Sequence, residues 1–186
     1  MMQIIAGDKR GTKLQSPNNL SVRPTAQRTR EALFNILQGG RLPCDVTDAI
    51  IIDLFAGSGA LGLEALSRGA SKAFFVEKDH EAIGILRKNI SHLGYESASK
   101  ISQSDALKTA HWPHPKADII FCDPPYDKEM AIPAIMKFYQ LGAFSEDAVI
   151  IIEARKTERI AFPENWQMLD ERRYGIAALY FGSLSA

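Results

Sequence analysis

The stretch Asp123-Pro124-Pro125-Tyr126 holds the residues best suited to chemistry. It follows Asp118–Cys122, which reads as a buried strand, so Asp123 is expected at the carboxyl edge of a sheet, where open α/β folds bind ligands. Two prolines stiffen the turn, and Pro124 has no N–H, which leaves its carbonyl as an acceptor. Tyr126 adds a flat ring. The combination suits a planar amino group: Asp123 and the Pro124 carbonyl would accept its two hydrogens, and Tyr126 would stack on the base that carries it. An amine conjugated to a purine is a poor nucleophile because its lone pair is delocalised, and paired acceptors favour its pyramidalisation. Alignment of this kind contributes roughly 7–11 kcal/mol. Neither a nucleophilic side chain nor a metal is required.

A second constellation lies upstream. Gly57-Ser58-Gly59-Ala60-Leu61-Gly62 fits G-x-G-x-x-G directly after the strand that holds the run Ile50-Ile51-Ile52, and Glu77 stands 20 residues beyond Gly57. Glycine allows the tight curl and the close approach of a ligand, and an acid at this distance is placed to hold a ribose. A nucleoside cofactor is expected. NAD would set its pyrophosphate on the helix N-terminus, but Asp53, four residues before Gly57, adds a negative charge there. A cofactor with a cationic amino group and no phosphate tolerates that carboxylate better, and S-adenosylmethionine fits.

The elements that must position these residues alternate. Strands are expected at 50–52, 73–76, near 100–102, at 119–121 and at 149–152. Helices are expected after the glycine turn, from Asp79 as N-cap to Gly94, and over 132–139. Alternation of this kind implies right-handed crossovers and a parallel sheet. Residues 166–174 and 176–181 flank Gly175 and read as two antiparallel strands. At the amino end, Gln3–Leu14 reads as a small hairpin, and Thr25 as the N-cap of a helix carrying Leu33, Ile36 and Leu37 on one side and Arg28 on another. The fold expected is α/β and Rossmann-like, a seven-stranded and mostly parallel sheet with an antiparallel C-terminal strand pair, plus an N-terminal β-hairpin and helix. Residues 1–41 form the extension and 42–186 the body.

Composition agrees with a soluble globular chain: 186 residues, 46% hydrophobic and 24% charged, with apolar runs far short of the ~20 residues a membrane span needs. No secretion signal is read at the start, so a cytoplasmic location is expected. Cys44, Cys122 and four histidines show no metal-ligand spacing. The net charge of zero is unevenly spread: residues 1–41 carry seven bases against two acids, and the remainder 15 bases against 20 acids. A basic segment on an acidic body suits a polyanionic partner.

These motifs resemble known families. Asp53-Leu54-Phe55-Ala56-Gly57-Ser58-Gly59 resembles the first motif of class I S-adenosylmethionine-dependent methyltransferases. That resemblance implies cofactor contacts from Asp53, Phe55, Ala56, Gly57 and Gly59, a ribose contact from Glu77, and an adenine contact from Asp105 with Ala106. The tetrad resembles the (Asp/Asn)-Pro-Pro-(Tyr/Phe) signature of amino-group methyltransferases, which implies catalytic roles for Asp123, Pro124 and Tyr126. Ile4-Ile5-Ala6-Gly7, Arg10-Gly11-x-Lys13-Leu14, Arg23-Pro24-Thr25 and Arg28-x-Arg30-Glu31-Ala32-Leu33-Phe34-Asn35-Ile36-Leu37, with Arg173-Tyr174-Gly175 and Leu179-Tyr180-Phe181, resemble the RsmD family. Its bacterial members methylate the N2 amine of one guanine in 16S ribosomal RNA of the small subunit. The resemblance implies that partner; Lys9, Arg10 and Lys13 on a projecting hairpin are expected to contact RNA phosphates, and Arg23 and Arg28, before and in the following helix, to touch either RNA or the cofactor carboxylate. Phosphate contacts of that kind position without reading sequence. The rival readings are a DNA adenine or cytosine amino-methyltransferase, an NAD-dependent oxidoreductase favoured by the glycine turn alone, and a non-catalytic RNA-binding module. Membrane and metal are not expected partners.

Overall fold

The structure, a computed structural model, describes residues 2–16 and 24–184. The elements run α1 (Pro24–Leu37), β1 (Ile50–Leu54), α2 (Ala60–Ser67), β2 (Lys72–Glu77), α3 (His80–Leu93), β3 (Ser99–Gln103), β4 (Ala117–Cys122), α4 (Ala131–Gln140), β5 (Phe144–Arg155), β6 (Trp166–Tyr174) and β7 (Ala177–Leu184). Seven strands form one sheet in the order β3-β2-β1-β4-β5-β7-β6. The first five are parallel, and β7 pairs antiparallel with both β5 and β6, as the sequence led us to expect. Reversal of strand order between β1 and β4 opens the crevice in which such sheets bind ligands.

Local sequence explains most elements. The strands β1, β2 and β4 carry the continuous apolar runs 50–52, 73–76 and 119–122 because helices cover both sheet faces. Asp79 Oδ1 accepts from Ala82 N–H at 2.8 Å to start α3, and Gly94 ends it at φ 73°. On one face, α1, α2 and α3 pack Leu33, Phe34, Leu63 and Leu86 on Ile51, Phe75, Phe121 and Ile151. On the other, α4 lays Ala134, Ile135 and Phe138 against Ile52, Ile120 and Ile150.

Three differences from expectation have physical causes. Helix α1 begins at Pro24, so Thr25 lies inside it; proline's fixed φ and missing N–H suit a first helical position. Strand β5 starts five residues before its apolar run, because Ser145, Glu146 and Asp147 pass through a register irregularity that takes them off the ladder. The amino-terminal hairpin has a single bridge, Gln3 to Lys13, and it does not project. It is fastened along α2: Ile5 and Ala6 donate backbone N–H groups to Glu64, Asp8 donates to the Ser67 carbonyl, and Lys9 N–H to Ser67 Oγ. Ile4, Leu14, Leu33, Phe34 and Leu37 share the core of the 42–186 body.

Candidate active site

Register across the sheet builds the site. Leu54, Cys122 and Ile152 lie side by side on β1, β4 and β5. The next residue outward on each chain is Phe55, Asp123 or Glu153, so these three stand in a row at the carboxyl edge. Asp123 N–H donates to the Leu54 carbonyl at 3.5 Å, which extends the β1–β4 pairing into the turn. Pro124 is buried, and Tyr126 is half-buried with its hydroxyl donating to Glu153 Oε1 at 2.9 Å.

Charge is concentrated here. Asp123 is open to water from the crevice, yet the protein around it removes solvation. With the Glu153 and Asp53 carboxylates close by, that desolvation raises its pKa well above the usual range. Burial also raises Glu153, against the pull of the Tyr126 hydrogen bond. Tyr126 is raised by burial and then by Glu153.

The glycine turn sits one strand away. Phe55 takes φ 61°, a strained value for a bulky side chain and a mark of functional turns. Gly57 is at φ 54°, and a Cβ there would meet nothing nearer than the Phe55 carbonyl oxygen at 4.0 Å, so its open side faces the crevice. Gly59, at φ 81°, is packed the other way: a Cβ would lie 2.3 Å from Leu86 Cδ1. Ala56 is buried, with its N–H on the Val76 carbonyl. Glu77 ends β2 and accepts from three backbone N–H groups, those of Gly57, Lys78 and Asp79 at 2.8–2.9 Å. The carboxylate is thereby tied to the turn itself.

Asp53 corrects the charge argument made from sequence. It is 2% exposed, and burial, with a further push from Glu77, lifts its pKa to about 8, so at neutral pH it is largely uncharged. Its Oδ2 accepts the Gly62 N–H at 2.9 Å. Asp53 therefore disfavours a pyrophosphate by occupying a donor at the start of α2, rather than by repelling it. Its buried carboxyl holds the first turn of α2.

Asp105 lies past β3, its carboxyl held low by the Leu107 N–H and Lys78, whose Nζ is 3.1 Å away. Ala106 is buried in the core. A recess of about 370 Å³ opens beside Asp105, lined also by Ser104, Thr109 and Trp112.

The basic residues are scattered. Lys9 and Arg10 lie at the Ser67 end of α2, the end remote from the glycine turn by about 12 Å of helix rise. Lys13 and Arg28 are exposed, and Arg23 falls outside the described residues. Arg30, which the sequence offered only as one more base, is buried: Nη2 donates to the Gln3 carbonyl at 2.6 Å, and Nε is 3.9 Å from Glu64. Glu64, fully buried, also accepts Arg68 Nε at 2.7 Å. A lone acid among the apolar residues of α2 was the visible sign of this network. Glu153 directly follows the apolar run at 149–152 and lies two residues inside the end of β5; its partnership with Tyr126 needed the strand register. Among the described residues, no group of three or more His, Cys, Asp or Glu is placed to hold a metal, and no helix is long and apolar enough to cross a membrane.

Strand order, glycine turn, Glu77 and a β4 turn of Asp-Pro-Pro-Tyr together define the class I methyltransferase fold. The chain belongs to the RsmD family, described as Conserved hypothetical protein 95, which matches residues 2–183. It is 39% identical over 181 residues to the ribosomal RNA small subunit methyltransferase D of Haemophilus influenzae, covering 95% of this chain and 91% of that protein. It is 35% identical over 178 residues to the protein of the same name from Escherichia coli, covering 95% and 87%. A solved putative methyltransferase from Escherichia coli superposes with a TM-score of 0.85 at 34% identity, over 100% of this chain and 98% of that one.

Proposed function

We propose that this protein transfers a methyl group from S-adenosylmethionine to the exocyclic N2 amine of one guanine in 16S ribosomal RNA, within the small subunit or an assembly intermediate in the cytoplasm. The observation that carries the reading is the Phe55–Asp123–Glu153 row, which sets the Asp-Pro-Pro-Tyr turn beside the glycine turn at one sheet edge. The relatives named ribosomal RNA small subunit methyltransferase D support the substrate class.

The residues present fit the cofactor. Gly57 leaves its crevice side empty, Glu77 offers a carboxylate tied to the same turn, and the Gly62 N–H in the first turn of α2 is taken by Asp53 instead of being free for a dinucleotide's pyrophosphate. Phe55, Ala56, Gly57 and Gly59 would hold the methionine and ribose portions, with Asp53 fixing the turn from below. Glu77 would accept the ribose hydroxyls, and Asp105 with the Ala106 backbone would meet the adenine. When bound, S-adenosylmethionine supplies a methyl group activated by its sulfonium.

The protein's own part is alignment. Asp123 Oδ and the Pro124 carbonyl accept the two amine hydrogens and turn the nitrogen lone pair out of conjugation. Tyr126 stacks on the base and fixes the line of attack. A guanine in folded RNA must leave its stack to reach Tyr126, which costs a few kcal/mol. Lys9, Arg10, Lys13, Arg23 and Arg28 would contact RNA phosphates.

The test is incubation of methyl-labelled cofactor with small subunits that lack the modification. Label is expected in 16S RNA, and label confined to protein or DNA refutes the substrate. Asp123→Ala should lower transfer by roughly 100-fold, the scale on which loss of one preorganised polar contact to a reacting group is felt, while cofactor affinity changes little. An active Asp123→Ala enzyme refutes the role given to that carboxyl.

A further inference from the structure

Strand β5 ends against the Asp-Pro-Pro-Tyr turn, and two of its side chains reach Tyr126. Glu153 Oε1 accepts the phenol hydroxyl at 2.9 Å. Arg155, two residues on and thus on the same strand face, places its guanidinium 5.5 Å from the ring centroid. Arg155 is itself held: its Nη2 lies 3.3 Å from Asp127 Oδ2. The turn is fastened to the chain after β5, since Glu158 Oε1 accepts the Asp127 N–H at 3.1 Å and the Glu158 carbonyl accepts the Tyr180 hydroxyl at 2.8 Å. Tyr126 is thus pinned at its hydroxyl by one residue and covered by another. A cation over one face of an aromatic ring leaves the other face for a stacked base.

We propose that Glu153 is a positioning residue for methyl transfer: by accepting the Tyr126 hydroxyl hydrogen it fixes the plane of the ring on which the target base stacks, while Arg155 closes the opposite face. The proposal rests on the amino-methyltransfer reading given above. Burial raises the Glu153 carboxyl, but an acceptor oxygen survives protonation, so the role needs an oxygen at that position rather than a charge. A carboxamide keeps the oxygen; a methyl group does not.

The experiment is a double-mutant cycle on RNA methylation, with Glu153→Ala, Glu153→Gln, Tyr126→Phe and the Glu153→Ala/Tyr126→Phe pair, each also titrated with S-adenosylmethionine. Loss of one hydrogen bond predicts a drop of roughly three- to tenfold in kcat for Glu153→Ala and a similar drop for Tyr126→Phe. Glu153→Gln should stay near the parent, cofactor affinity should be unchanged throughout, and the pair should be no worse than either single variant. Multiplying losses in the pair, or a loss of cofactor affinity with Glu153→Ala, would overturn the proposal. So would an unchanged kcat for Tyr126→Phe, a readout that remains if Glu153→Ala fails to fold. Absence of methyl transfer to RNA by the parent protein would instead refute the function itself, which keeps the two failures apart.

Discussion

Asp53 stands nine residues before the amide it caps, and that single contact joins β1 to the first turn of α2. Its carboxyl keeps a proton in the folded protein to about pH 8, whereas an unfolded Asp releases it near 3.9. Between those values the folded state binds the extra proton. The associated stability is fully present below the unfolded pKa and is lost as pH rises through the window to about 8. Asp53→Asn should therefore flatten the fall in urea-melt stability between about pH 5 and 8, by up to several kcal/mol at about 1.4 kcal/mol per pKa unit. Asparagine's oxygen can still accept from Gly62, and Asp123 contributes its own trend of the same sign to both proteins. Parallel pH profiles for the two proteins would show that Asp53 is ionised at neutral pH. Residue identity was legible from the sequence here and residue environment was not. The spacing marked Asp53, Glu77 and Asp123, but burial, which turns Asp53 from a repelling charge into a neutral cap, comes from β2 and α2 packing over it.

At the scale of elements, α2 carries two demands that its propensity does not show. Gly62, on its inner side, lies where a Cβ would come within 2.4 Å of the Phe75 ring and 3.2 Å of Asp53 Oδ2. Gly62→Ala is expected to cost about 1–3 kcal/mol by overpacking and to weaken S-adenosylmethionine binding through the shifted turn. Equal stability and affinity would mean that helix and strand part without strain. Glu64, on another side, ties the hairpin and α1 to the same helix. Glu64→Ala leaves Arg30 and Arg68 without their carboxylate and two hairpin N–H groups without an acceptor. It should lose about 3–5 kcal/mol in a denaturant melt; a loss below about 1 kcal/mol would show the amino-terminal segment to be energetically independent. The apolar strands β1, β2 and β4 and the capped helix α3 were legible because periodicity and caps are local. The hairpin's seat and the start of β5 were not, because both depend on partners about 60 residues away or on a register irregularity.

The whole molecule sets an acid-rich crevice at one end of α2 and the basic Lys9 and Arg10 at the other. Asp123 and Glu153 stand at the edge where a methyl group would move, with Asp53 buried close by. Docking of a long polyanion would therefore span the molecule, with phosphate contacts remote from the reacting base. Arg10→Gln with Lys13→Gln should weaken RNA binding and lower the magnitude of the salt slope by about 1–2, at roughly 0.7–0.9 for each phosphate no longer neutralised. S-adenosylmethionine affinity should not change, and an unaltered salt slope would remove the hairpin from the RNA interface. Charge asymmetry was legible along the chain, but which bases face solvent was not: Arg30 counted as one of seven and is spent inside the fold. The most direct test of the account is mass-spectrometric mapping of 16S RNA after small subunits lacking the modification are incubated with this protein and S-adenosylmethionine. One added methyl on the N2 amine of a single guanine is the predicted result, and a methyl on any other atom or molecule, or none at all, would contradict it.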